Sequence, residues 1–98
     1  MIVKIGDKIY KIQFEHTGNK VRRTRCDIVY LDGEKRFMRG YGECFCSESD
    51  NFSKEIGRKI SLGRALRATF DTKSQRAYIW DCYRNRKTQQ PGLKVSDL

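Results

Sequence analysis

The chain has 98 residues and 38% apolar content, which allows a single domain with one modest core and excludes a second. Its 21 Lys and Arg residues against 12 Asp and Glu residues give a formal charge of +9, so the partners to expect are polyanions: nucleic acid, a nucleotide with several phosphates, or an acidic protein surface. It has neither a signal-peptide apolar region nor a run long enough to cross a bilayer, and the compartment where it is made, the cytosol, is where it is expected to stay.

The first half of the chain reads as strands. Ile2 to Lys4 forms a short initial strand, and Gly6-Asp7 a tight turn. Tyr10, Ile12 and Phe14 then alternate with Lys11, Gln13 and Glu15, the period-two pattern of a half-buried strand. The pattern breaks from His16 to Asn19. A further strand over Val21 to Leu31 carries Cys26, Ile28 and Tyr30 on one face, and Asp32-Gly33 turns the chain into another over about Lys35 to Phe45, giving an antiparallel meander. Gly40 and Gly42 within this last strand weaken it and indicate a bulge, or a place where another backbone or a ligand comes close.

After Cys46 the chemistry changes. Ser47, Ser49, Asp50 and Asn51 are helix-capping residue types, and a helical pattern runs from Phe52 or Ser53 to about Ala68. At about 100° per residue, Phe52, Ile56, Ile60, Gly63, Leu66 and Phe70 share one side and are expected to pack on the sheet, with Gly57 and Gly63 permitting close approach. Lys54, Arg58 and Ser61 face the other way. Lys59 and Arg67 project within the apolar sector and Arg64 lies at its edge, where a long cation must snorkel, pair with an acid such as Glu55 or Asp71, or meet an anionic ligand. Thr72 followed by Gln75 resembles a capping box, so a second helix is expected from Lys73 to about Arg86, with Ala77, Trp80 and Tyr83 as its stripe and Ile79 and Cys82 beside them. A Trp in such a stripe is a core or subunit contact before it is a stacking platform. Lys87 to Leu98 contain Pro91-Gly92, lack periodicity and read as a flexible tail, leaving residues 1–87 as the domain.

The fold class that follows is α+β: an antiparallel meander of three to four strands, then two helices packed on one face. Cys26, Cys44, Cys46 and Cys82 fit neither a disulfide framework nor a zinc site, because Cys44 and Cys46 are separated by one residue and His16 is the single His. Reduced cysteines are the default, and neither a metal nor a cofactor is expected. With one His and no phosphate-binding glycine loop between strand and helix, a binding module is favoured over an enzyme.

The cations are weighted toward arginine: Arg22, Arg23 and Arg25 open one strand, Arg36 and Arg39 lie on the next, and Arg58, Lys59, Arg64, Arg67, Arg84, Arg86 and Lys87 follow. Arginine presents a planar fork that grips phosphate oxygens bidentately, whereas solubility alone is served equally by lysine. Tyr30, Phe37, Tyr41 and Phe45 could stack a base or fill the core.

The segment CSESDNFSKEIGRKISLGRALRATF, followed by AYIWDCYRNR, resembles a pattern in small phage proteins: a strand ending in a polar turn with Asp, then an aromatic, an Ile-Gly-Arg-Lys step and an Arg-Ala-Leu step. The family it is most similar to is that of the first-described Thoeris anti-defence sponge proteins of phages, over residues 46–85. The resemblance implies a β-then-α homo-oligomer in the cytoplasm of the infected bacterial host. It would sequester a cyclic nucleotide immune signal of the cyclic ADP-ribose type without cleaving it. It further implies Arg64 and Arg67 as phosphate ligands and Asp50 and Asn51 as ribose or base contacts. Arg22, Arg23 and Arg25 are ligand-binding candidates on their residue chemistry alone. The alternative is a basic phage inhibitor that binds nucleic acid or a nucleoprotein defence complex, in the manner of an anti-CRISPR protein. A third reading is a protein-binding inhibitor using Trp80, Tyr83 and the basic helix face.

Overall fold

Two glycines set two of the three strand connections. Gly6 and Gly33 have φ of 64° and 62°, each at the first position of a two-residue loop, where a left-handed residue lets the turn follow the twist of its strands. In the computed structural model, residues 1–18, 21–46 and 54–86 are described. Four strands, β1 (Ile2–Ile5), β2 (Lys8–Thr17), β3 (Arg22–Asp32) and β4 (Lys35–Cys46), precede two helices, α1 (Lys54–Thr69) and α2 (Lys73–Asn85). The strands form one antiparallel sheet in the order β1-β2-β3-β4, so the α+β meander expected from the sequence is the observed fold. No helix among the described residues is long and apolar enough to cross a membrane.

The register places the alternating apolar residues together. Tyr10 pairs with Tyr30, Ile12 with Ile28 and Phe14 with Cys26, and these side chains meet the helices. Opposite them, Leu62, Ala65 and Leu66 of α1, Phe70 beyond it, and Ile79 and Tyr83 of α2 complete the core. Each fully buried Leu or Ile contributes about 1.5–3 kcal/mol of transfer free energy. Tyr10 meets Phe70 edge-on at 5.2 Å between centroids, and Phe14 reaches Tyr83 at 6.0 Å.

The face on which α1 packs differs in part from the sequence expectation, with Leu66 and Phe70 buried as expected and the two isoleucines exposed. Its buried residues are Gly57, Ser61, Leu62, Ala65 and Leu66, while Ile56 is 55% and Ile60 39% exposed. Ser61, expected outward, is fully buried and donates its hydroxyl to the Arg58 carbonyl at 3.1 Å. Lys59, expected within the apolar sector, is exposed and sits 4.0 Å from Glu55. Phe52 lies outside the described residues. The cause is on β4. A Cβ at Gly42 would collide with the Ser61 carbonyl, the Ala65 nitrogen and Arg64 Cβ, and one at Gly40 with the Thr69 hydroxyl. A bare strand backbone thus meets a row of small helix residues, and backbone proximity outweighs the burial of two isoleucines. Both readings of Gly40 and Gly42 hold, since the β3–β4 register also shifts between Ile28 and Val29.

In α2 the expected start is observed: Thr72 is the N-cap, and its hydroxyl accepts from the Gln75 amide at 3.3 Å. The core stripe is Ile79 and Tyr83, with Trp80 and Cys82 partly buried, whereas Ala77, expected in the stripe, is exposed.

No disulfide joins the four cysteines; Cys26 and Cys44 are buried, and Cys46 and Cys82 are half-buried. Burial pushes the Cys26 thiol up to about 12, which removes its thiolate near neutral pH. A thiol-specific reagent should therefore label Cys46 and Cys82 in the folded protein and Cys26 only after unfolding. Mass spectrometry of the labelled peptides checks this, and native labelling of Cys26 would contradict its placement.

Candidate functional site

Phe70 and Asp71 turn the chain from α1 into α2, and the helices leave between them a groove of about 390 Å³. Gly63, Leu66 and Arg67 line it from α1, and Lys73, Arg76, Ala77, Trp80, Asp81 and Arg84 from α2. Helical periodicity is what gathers the α2 set, because residues spaced by three, four, seven, eight and eleven share one face. The groove thus presents four cations and an indole against the single carboxylate of Asp81.

Each groove residue is held differently. Arg76 donates to the carbonyls of Phe70 at 2.7 Å and Asp71 at 2.9 Å, covering the electronegative end of α1 that would otherwise repel an anion. Arg84 pairs with Asp81 at 3.1 Å, with both side chains well exposed, and its guanidinium lies 5.8 Å from the centre of the Trp80 ring. Trp80 is fixed edge-on against Tyr83 at 5.9 Å between centroids, and a Cβ at Gly63 would stand 3.6 Å from its ring. The indole thus lies beside the α1 backbone with room for a methyl group at Gly63. Arg67 and Lys73 are exposed and make neither a hydrogen bond nor an ion pair among the described residues, so they are the cations an incoming phosphate would meet first.

The sequence-predicted ligand residues separate in space. Arg67 lies in the groove. Arg64, three residues earlier on α1, does not line the groove and instead donates to the main-chain carbonyl of Glu43 on β4. Arg23 and Arg25 stand on the sheet face away from the helices: Arg23 pairs with Glu43, and Arg25 pairs with Asp27 at 2.6 Å with its guanidinium 4.1 Å above the Tyr41 ring. Arg22 begins β3 opposite Cys46. Asp50 and Asn51 lie outside the described residues, as does the region beyond Arg86. Lys73, Arg76 and Asp81 lie off the apolar stripe of α2, so that stripe does not disclose them as groove residues. The signal that finds them is the same 3.6-residue period, applied to Lys73, Arg76, Trp80 and Arg84.

A second polar cluster joins the start of α1 to the end of α2. Glu55 accepts from Arg58 at 2.9 Å, Arg86 at 3.1 Å and the Tyr83 hydroxyl at 3.2 Å. The Arg58 hydrogen bond, aided by the Arg86 charge and the Tyr83 hydroxyl, holds this carboxyl below its ordinary value of 4.5. His16, with Nδ1 2.9 Å from the Thr24 hydroxyl, is held below 6.5 by burial and then by the charges of Arg58 and Lys54. Both groups bind protons more weakly folded than unfolded. Their contribution is therefore complete above the unfolded values and is lost as pH falls through the lower, folded ones. Thermal melts should show Tm falling below the ordinary imidazole value and again below the ordinary carboxylate value, and Glu55→Gln should flatten the lower step. A Tm constant across both windows would contradict this cluster.

Comparison with protein-family models, with curated proteins and with solved structures finds no match to this chain.

Proposed function

We propose that the protein captures a nucleotide carrying two phosphates in the α1–α2 groove and holds it unchanged. It thereby withdraws a cyclic ADP-ribose-type immune signal from its effector in the cytoplasm of an infected bacterium. The observation that carries this reading is the convergence of Trp80 with Arg67, Lys73, Arg76 and Arg84 on one groove. An aromatic face suits a base, guanidinium forks suit phosphate oxygens, and Asp81 is an acceptor for ribose hydroxyls. Capture requires binding and stoichiometry, with no bond made or broken. Arg23 and Arg25 weigh against an extended nucleic-acid track on the sheet, since both are compensated by carboxylates.

Trp80 is the single Trp of the chain, so its fluorescence reports on the groove directly. Titration with cyclic ADP-ribose isomers should change the emission saturably and with shallow salt dependence. A response to single-stranded or duplex nucleic acid that falls steeply with salt, with none to any nucleotide, would overturn the proposal in favour of a polyanion-binding inhibitor.

A further inference from the structure

The hydrogen-bond phase of the sheet identifies which main-chain groups of β4 face outward. Met1 and Ile12 exchange main-chain bonds at 3.0 and 2.7 Å, so Ile12 turns its N–H and C=O toward β1 and away from its β3 partner Ile28. Antiparallel pairs alternate between bonded and non-bonded, so Arg25 bonds to Glu15 and not to Glu43. Tyr41, Glu43 and Phe45 therefore present their N–H and C=O groups at the edge of the sheet, which no strand among the described residues covers. The Glu43 carbonyl accepting from Arg64 agrees with this phase.

That edge lies between two apolar surfaces. Ile56, Ile60 and Arg64 follow one another at four-residue spacing along α1, so the two exposed isoleucines stand on the same flank as the arginine that reaches the edge. On the opposite sheet face, Tyr41 is 49% and Phe45 61% exposed. A strand laid beside Tyr41, Glu43 and Phe45 would cover aromatic rings with one set of side chains and the isoleucine flank with the other. Charge selects the occupant. Glu43 is already neutralised by Arg23, whereas Arg64 is bonded to a neutral carbonyl and keeps its full charge. A second copy pairing through this edge would bring its own Arg64 against the first.

We propose that the outer edge of β4 is a strand-addition site for an extended, alternating apolar and acidic segment of a protein partner. Arg64 guards the edge in the free protein and moves from the Glu43 carbonyl to a carboxylate of the added strand. This site is separate from the α1–α2 groove and does not depend on the function proposed for it.

Fluorescence anisotropy with a dye-labelled decapeptide of alternating Val and Glu, against its Val and Lys counterpart, tests the proposal. The acidic peptide should bind at least about tenfold more tightly. Phe45→Pro removes an outward N–H that the sheet does not use, a position where proline is tolerated, and should weaken binding about tenfold or more with an unchanged circular dichroism spectrum. Should that variant not fold, Arg64→Glu is the second arm and should reverse the peptide preference. Trp80→Ala should leave peptide binding intact. Equal affinity for the two peptides, full binding by folded Phe45→Pro, an unreversed preference in Arg64→Glu, or a dimer of the wild-type protein that Phe45→Pro or Arg64→Glu dissociates would overturn it.

Discussion

Gly42→Ala is expected to destabilise the protein by about 3 kcal/mol or more, lowering Tm by roughly 12–24 °C for a domain of this size. The added Cβ would strike the Ser61 carbonyl and the Ala65 nitrogen, both main-chain atoms in the middle of α1. Side chains can rotate away from an added methyl, but a helix backbone cannot yield without lifting from the sheet. Lifting α1 would open the layer in which Leu62, Ala65 and Leu66 are fully buried. Gly63→Ala supplies the contrast on the same helix. Its Cβ would be 3.6 Å from the Trp80 ring, an ordinary contact, and removing a helical glycine gains about 0.5–1 kcal/mol. Equal effects of the two substitutions in thermal or urea melts would contradict the close approach of β4 and α1.

Arg67→Ala carries the second large expectation, loss of nucleotide affinity by about tenfold or more while Tm is retained. Arg67 lines the groove, is exposed, and makes neither a hydrogen bond nor an ion pair among the described residues, so removing it disturbs little of the fold. Trp80→Ala should lower affinity comparably by removing about 1–3 kcal/mol of base stacking, though with some loss of packing against Tyr83. Arg64→Ala is the informative control. Its guanidinium is committed to the β4 edge, and affinity should stay within about twofold of wild type. Isothermal titration of the three variants distinguishes a groove from a diffuse basic surface. Equal, small losses at Arg64 and Arg67 would indicate the diffuse surface.

The strands were legible because Tyr10, Ile12 and Phe14 alternate cleanly with polar residues, and because Gly6 and Gly33 mark two-residue turns that few other residues allow. The start of α2 was equally plain, since Thr72 and Gln75 carry a capping pattern that acts through local hydrogen bonds. The face of α1 was not legible. Its apolar period through Ile56 and Ile60 favours one side, yet the side that packs is chosen by the fit of Ser61, Ala65 and Thr69 to Gly42 and Gly40, far away in sequence. Residue type alone does not display such backbone-to-backbone complementarity. The same limit applies to the site. Arg67, expected within the apolar sector, is exposed, and its meeting with Lys73, Arg76 and Trp80 depends on how the two helices are set against each other.

The measurement that tests nucleotide capture most directly is calorimetric titration of the protein with cyclic ADP-ribose isomers and cyclic oligonucleotides, followed by heating the complex and identifying what is released. Capture in the groove predicts saturable heat from a diphosphate-bearing cyclic nucleotide, with affinity lowered about tenfold or more by Arg67→Ala, and recovery of the ligand chemically intact. No heat from any nucleotide, or a released ligand altered in structure, would contradict it.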